Sequence, residues 1–303
     1  MEFEYSCRDE RASSVGKSAW LLEMAEGRPR FLVMSNTAQR RSAAQWRVGA
    51  GSQTIARATP QEVAVGLSFD GRPHTVLMAT PADVADLAMG FTLTEAVAKA
   101  EDVIEIEVTG TDLGILADVR LKPGSLQRKA RPRTLEGRSS CGLCGVQRLV
   151  DAVRPLPKVM GGVRVSHQAV QRAVDALDDA QALGRLTRAT HAAAFAFADG
   201  TLALVREDVG RHNALDKLAG AMAREDRDAS AGFVLVTSRC SFEMVEKTVR
   251  MGCSMLVAVS APTDLAIRRA EESGLTLVAL ARADGHTVFT CPERLVDAAL
   301  EYA

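Results

Sequence analysis

Three short apolar runs, FVLVT, MLVAVS and LTLVALA, recur between residues 233 and 281, and a stretch of helical length and amphipathic pattern separates each from the next. Runs of five to seven apolar residues bounded by polar turns are strands buried on both faces. A strand–helix–strand–helix–strand order makes those strands parallel and their crossovers right-handed. The helices end near Gly252 and Gly274, as helices do where a left-handed cap is needed. All three strands then finish on one edge of one sheet, in TSRCS, SAPT and ARADG. Ligands of open α/β sheets bind outside the carboxyl ends of the strands. Two of these loops open helices, at Ser241 and near Thr263-Asp264, where free amides and the helix dipole favour an anion such as a phosphate. Arg239 and Arg282 stand at the same edge; for Arg282 alone an ordinary surface role is as good a reading. No GxxxxGK[ST] or GxGxxG occurs, so the edge is not a standard nucleotide cradle.

The remainder reads as α+β. HAAAFAF and TLALV form a hairpin about Asp199-Gly200, after an amphipathic helix in SHQAVQRAVDALDDAQALG. Further upstream, EVAVGLSFDGRPHTVLMA is a second hairpin turning at Asp70-Gly71. TPADVADLAMGFTLTEAVAKA is a helix that Thr80 caps, with Pro81 in its first position, Asp83 in its first turn and a bend at Gly90. VIEIEVTG and LGILADVRL alternate as strands. Residues 1–50 read as a poorly defined extension without an assigned function, and Met34 is a second candidate start. The expected division is this extension, an α+β subdomain over 51–140 that ends in a basic loop, and a second domain over 141–303.

The net charge of −1 supplies no overall field for nucleic acid or a membrane surface. No apolar run approaches the roughly 20 residues of a spanning helix, and the acidic start MEFEYSCRDE has no apolar signal core. The expected location is the cytoplasm, and there the six cysteines (7, 141, 144, 240, 253 and 291) are mostly free thiols.

REDVGRHNALDK packs Glu207, Asp208, Arg211, His212, Asp216 and Lys217 between a strand and a helix. A capping and salt-bridge network and a preorganised polar site fit it about equally. His212 alone is better read as a structural histidine.

Cys141 and Cys144, in GRSSCGLCG, carry the most pointed chemistry. Gly142, Gly145, Ser139 and Ser140 let the loop flex and approach another molecule. Lys122, Arg128, Lys129, Arg131, Arg133 and Arg138 lie just upstream, and nearby cations raise the reactive thiolate fraction. A thiolate on a mobile loop suits persulfide transfer, with one Cys holding the terminal sulfur and the other assisting release by forming a disulfide. Three other readings stand beside this one. Structural zinc requires four ligands, and no second CxxC is present. A thioredoxin-like motif opens a helix after a strand, whereas this pair follows a long basic loop. Two inert thiols complete the alternatives, and Cys253 reads as a core residue.

Taken together, SSCGLCG, EDVGRHNALDK, TSRCSFEMVEK and LVAVSAPTDLAI, with MATPADVADLAMGFTLTEAV and THAAAFAF, resemble the FdhD family of sulfur carriers required for formate dehydrogenase activity, in order over residues 54 to 300. The resemblance implies that a cysteine desulfurase passes sulfur to Cys141, with Cys144 its partner. It implies that the sulfur then goes to the molybdenum bis(molybdopterin guanine dinucleotide) cofactor before formate dehydrogenase is active. It makes the chain a sulfurtransferase-type carrier whose partners are the desulfurase and the formate dehydrogenase apoenzyme, with neither nucleic acid nor membrane, and it leaves room for a homodimer. By the same resemblance Leu280, Ala281, Arg282, Ala283, Asp284 and Gly285 contact the cofactor, no metal is permanently bound, and the C-terminal half is a cytidine-deaminase-like three-layer α/β sheet. His191 is followed by two alanines, so a deaminase's His-x-Glu is missing there. Ser238-Arg239-Cys240 stands where the family usually shows Ser-Gly-Arg. A zinc-dependent deaminase-like hydrolase and a non-catalytic guanine-nucleotide chaperone remain the alternatives.

Overall fold

The computed structural model describes residues 21–25, 28–32, 37–126, 155–159 and 161–297. The chain divides into residues 1–36 and residues 37–303. Within the first unit, β1 (Leu21–Ala25) and β2 (Arg28–Leu32) pair antiparallel.

The second unit opens with a ribbon, β3 (Ala38–Arg47) and β4 (Gly51–Pro60), paired antiparallel over its whole length. Two stretches of ten residues that the sequence left without an element are therefore strands. Alternation could not reveal them, because most of both faces is exposed and nothing selects apolar residues for one side.

β5 (Val63–Phe69) and β6 (Arg72–Ala79) follow. Asp70 and Gly71 both have positive φ (50° and 73°), the backbone that a tight hairpin of this twist requires. α1 runs over Val84–Thr94, and β7 (Val103–Thr111) and β8 (Gly114–Leu121) complete a four-stranded sheet of order β6-β5-β8-β7. One face of it buries Val65, Leu67, Phe69, Ala117 and Val119 against Leu87 and Phe91 of α1. Val76, Met78 and Leu116 remain about half exposed.

Two expectations for α1 need correction. Thr80 does not cap it: the helix begins at Val84 with Asp83 at its N-cap in left-handed conformation, while the Thr80 hydroxyl accepts from Val209 N at 3.2 Å. Gly90 is no bend either. A Cβ there would meet the Asp216 carbonyl oxygen at 1.6 Å, and one at Gly220 would meet that of Asp86 at 1.9 Å. The two glycines let helix backbones touch.

Downstream lie β9 (Val165–Ser166), α2 (His167–Ala180), α3 (Ala182–Thr187), β10 (His191–Phe197), β11 (Leu202–Asp208) and α4 (Arg211–Arg224). The single helix expected over 166–184 is thus two, divided at Gln181. Next come β12 (Gly232–Val236), α5 (Phe242–Arg250), β13 (Met255–Ala258), α6 (Asp264–Ser273), β14 (Thr276–Arg282), β15 (Gly285–Val288) and β16 (Leu295–Val296).

Six of these strands form one sheet, ordered β11-β10-β12-β13-β14-β15. β12, β13 and β14 are parallel, as the alternating pattern requires. β12 shows why its run is apolar throughout: Val234 and Val236 enter one core, Phe233 and Leu235 the other. The first core takes in Leu215 and Leu218 of α4, Met244 of α5 and Ala266 of α6; the second takes in Val170 and Leu177 of α2. The fold is mixed α/β, with helices on both faces of its larger sheet.

Candidate functional site

Parallel register puts the ends of β12, β13 and β14 on one edge, and the loops beyond them are bonded to one another. Cys240 N donates to Ala261 O at 3.2 Å, Thr263 N to Cys240 O at 2.9 Å, and Leu280 N to Ser260 O at 3.3 Å. β10 runs antiparallel to β12, so its first residues join the same edge. There Thr237 N donates to Ala192 O at 3.1 Å and Ala192 N to Thr237 Oγ1 at 3.0 Å.

Three helices begin at this edge: α4 after Gly210, α5 after Ser241 and α6 after Thr263. The Thr263 hydroxyl caps α6 by accepting from Ala266 N at 3.2 Å. Neither α4 nor α5 has a side-chain cap. The Ser241 hydroxyl donates instead to Glu243 Oε2 at 2.8 Å, and His212 Nε2 lies 3.4 Å from the same oxygen. Uncapped first turns keep amide N–H groups for a bound anion.

Glu243, His212, Arg211 and His191 form one electrostatic group. Burial pushes the Glu243 carboxyl up, but hydrogen bonds from His212 and Ser241, together with the Arg211 charge, hold it below its ordinary value. His191 is lowered by burial and then by Arg211. Glu243 Oε1 and Arg211 Nε are buried with no protein partner. The group thus combines a carboxylate, a guanidinium and two imidazoles beside two uncapped helices.

The dense segment 207–217 resolves into two parts. Arg211 and His212 face the edge group. Asp208 and Lys217 are fully buried, 2.6 Å apart. Asp208 also accepts from Thr80 N at 3.0 Å, Gly210 N at 2.8 Å and Asn213 Nδ2 at 3.0 Å, and Lys217 Nζ donates to Thr80 O at 3.0 Å. These bonds clamp the end of β6 to α4, which is a structural role. Asp216 joins a second buried cluster, with Lys247 Nζ 2.8 Å from its Oδ1 and 3.0 Å from Glu95. Burial disfavours the Lys247 charge, but Asp216 and Glu95 outweigh it and hold the pKa up. Glu207 accepts from Leu183 N and Gly184 N at the start of α3.

Of the six residues expected to contact cofactor, Leu280, Arg282, Ala283 and Asp284 are exposed, Gly285 is half-buried and Ala281 is fully buried. A register shift falls between Ala279 and Arg282, and Leu280 has φ 54°. Such a bulge turns a strand end outward. Arg239 is exposed at the neighbouring loop. Spacing alone could not have shown that His191 sits beside this group; only the β10–β12 pairing brings it there.

Cys141, Cys144 and the basic residues from Arg128 to Arg138 lie outside the described residues. Burial pushes the thiol of Cys240 up to about 12 and that of Cys253 to about 11. Both are core thiols rather than reactive ones, as expected for Cys253.

The fold is that of a mixed α/β protein in which two uncapped helix starts and the Arg211–His212–Glu243 group meet at one sheet edge. Residues 60–296 match the FdhD/NarQ family, and the chain belongs to it. It is 47% identical over 237 residues to the sulfur carrier protein FdhD of Cupriavidus necator, covering 78% of this chain and 82% of that one. It is 44% identical over 270 residues to the same-named protein of Agrobacterium fabrum, covering 88% of this chain and all of that one. A crystal structure from Desulfotalea psychrophila, of a candidate formate dehydrogenase accessory protein, matches with a TM-score of 0.68 at 23% identity, over 86% of this chain and 100% of that chain. This last likeness concerns the fold alone.

Proposed function

We propose that the protein is a sulfur carrier for formate dehydrogenase, working in the cytoplasm. Cys141 accepts sulfur from the persulfide of a cysteine desulfurase: the terminal sulfur bonds to Cys141 Sγ and the donor cysteine leaves as a thiol. The guanine dinucleotide ends of the molybdenum cofactor, here the substrate, carry phosphates. They dock at the edge of the six-stranded sheet, against the first turns of α4 and α5 and the segment from Leu280 to Gly285. Cys144 then attacks Cys141 Sγ, a disulfide forms, and the terminal sulfur passes to the metal centre as sulfide. A cellular dithiol reduces the disulfide for the next cycle.

The observation that carries this reading is the convergence on one edge of two uncapped helix starts, Arg211, His212 and the outward bulge at Leu280. The relatives named as sulfur carriers support it. Mass spectrometry after incubation with a cysteine desulfurase and cysteine tests it. One added sulfur on Cys141 or Cys144 is expected, together with loss of formate dehydrogenase activity in a Cys141→Ala strain. Full activity in that strain would overturn the reading.

A further inference from the structure

The β3–β4 ribbon is unlike the rest of the molecule in charge. Its strands and turn, residues 38–60, hold Arg40, Arg41, Arg47 and Arg57 and neither Asp nor Glu. The rest of the chain has 37 less 4 basic residues against 38 acidic ones, a net −5. Arg41 and Arg57 stand directly opposite each other in the ladder, both exposed. Like charges in that arrangement oppose the pairing. Among the described residues none of the four arginines has an ion-pair partner; Arg41 has only the Gln39 Oε1 oxygen, at 2.6 Å. Near the tip, Trp46 is 67% exposed and Val48 87%. A two-stranded ribbon is marginal in water by itself; this one extends ten residues per strand, meets α3 through β4, and among the described residues pairs with no third strand.

We propose that this ribbon is a docking arm whose free edge pairs with an acidic, extended segment of a partner protein. Carboxylates on such a segment neutralise the Arg41–Arg57 pair. Its backbone satisfies one row of open N–H and C=O groups, and its apolar side chains cover Trp46 and Val48. Arm-to-arm pairing with a second copy of this chain is disfavoured, since two arms of four unbalanced positive charges repel. A nucleic acid is disfavoured because a long polyanion also meets the net −5 of the body, whereas a single strand touches only the arm. The family match begins at residue 60, the last residue of the ribbon. The arm therefore lies outside the segment that the family model matches, although the alignment with the Agrobacterium fabrum protein, 88% of this chain, extends over it.

The test uses the full chain and a fluorescent ten-residue peptide that alternates Glu with Val, read by anisotropy, with hydrogen exchange on residues 38–60. Saturable binding is expected, with new amide protection along one edge of the ribbon. The double change Arg41→Gln with Arg57→Gln should weaken binding about tenfold, and Lys99→Gln, which removes an exposed cation outside the ribbon, should not. Both arginines are exposed, so the variant keeps its fold. The proposal is overturned if a peptide of the same charge with proline in place of Val binds equally well. It also fails if a single-stranded DNA of about 20 nucleotides binds more tightly, if sedimentation shows a dimer lost with the arm, or if the peptide does not bind.

Discussion

The two larger sheets of the main unit solve the same problem differently. The six-stranded sheet has helices on both faces, and its central strands are buried throughout: every residue of Gly232–Val236 and of Met255–Ala258 is inaccessible. The four-stranded sheet has α1 on one face only, and strands such as β8 alternate between buried and exposed positions. A sheet covered on both sides has no free face to offer a ligand, so its chemistry is confined to the loops at its strand ends. The four-stranded sheet contributes no residue of the edge group; it is fastened to the larger one through α1, α4 and two buried ionic clusters.

That fastening is where the contrast breaks most sharply. Lys217→Met leaves Asp208 charged and buried with its lysine gone, and a loss of about 3–5 kcal/mol in urea unfolding is expected. Gly220→Ala pushes a methyl against the Asp86 carbonyl and should cost about 3 kcal/mol by separating α4 from α1. A matched pair sharpens the difference between the sheets. Val257→Thr buries a hydroxyl in a strand covered on both sides and should cost about 1–3 kcal/mol. Val76→Thr, half exposed on the smaller sheet, should stay within about 0.5 kcal/mol. Equal costs would show that the open face is covered in solution.

The smallest effect concerns pH. His286 is held below its ordinary value by burial and by His167, whose Nδ1 lies 2.8 Å from His286 Nε2. Because the folded pKa is depressed, its contribution is whole above the unfolded value of about 6.5 and is lost as pH falls through the folded pKa. Urea midpoints measured downward from pH 7 should therefore fall less steeply in His286→Asn than in the native protein.

Much of the edge was legible because it follows from strand order. TSRCS, SAPT and ARADG fall on one edge once the three apolar runs are parallel, and Ser241 and Thr263 are the residues at which the helices begin. What stayed hidden depended on contacts across the chain. Thr80 has the composition of a cap, yet its hydroxyl goes to Val209, 129 residues away. Gly90 reads as a flaw in a helix until Gly220 arrives opposite it. Asp208, Arg211, His212 and Asp216 occur within nine residues, and no local rule could assign two to buried clamps and two to the edge.

By itself the sequence determined the parallel βαβαβ unit, the shared edge of its loops, the two hairpin turns at Asp70-Gly71 and Asp199-Gly200, and the family. These are properties of periodicity, turn stereochemistry and motif, which neighbouring residues settle among themselves. Only the tertiary structure decided which charges are buried in pairs, which helices start uncapped, where His191 lies, and that residues 38–60 form an exposed ribbon. Those outcomes depend on desolvation and on partners more than a hundred residues apart, or on the lack of any buried face, and no local pattern records either.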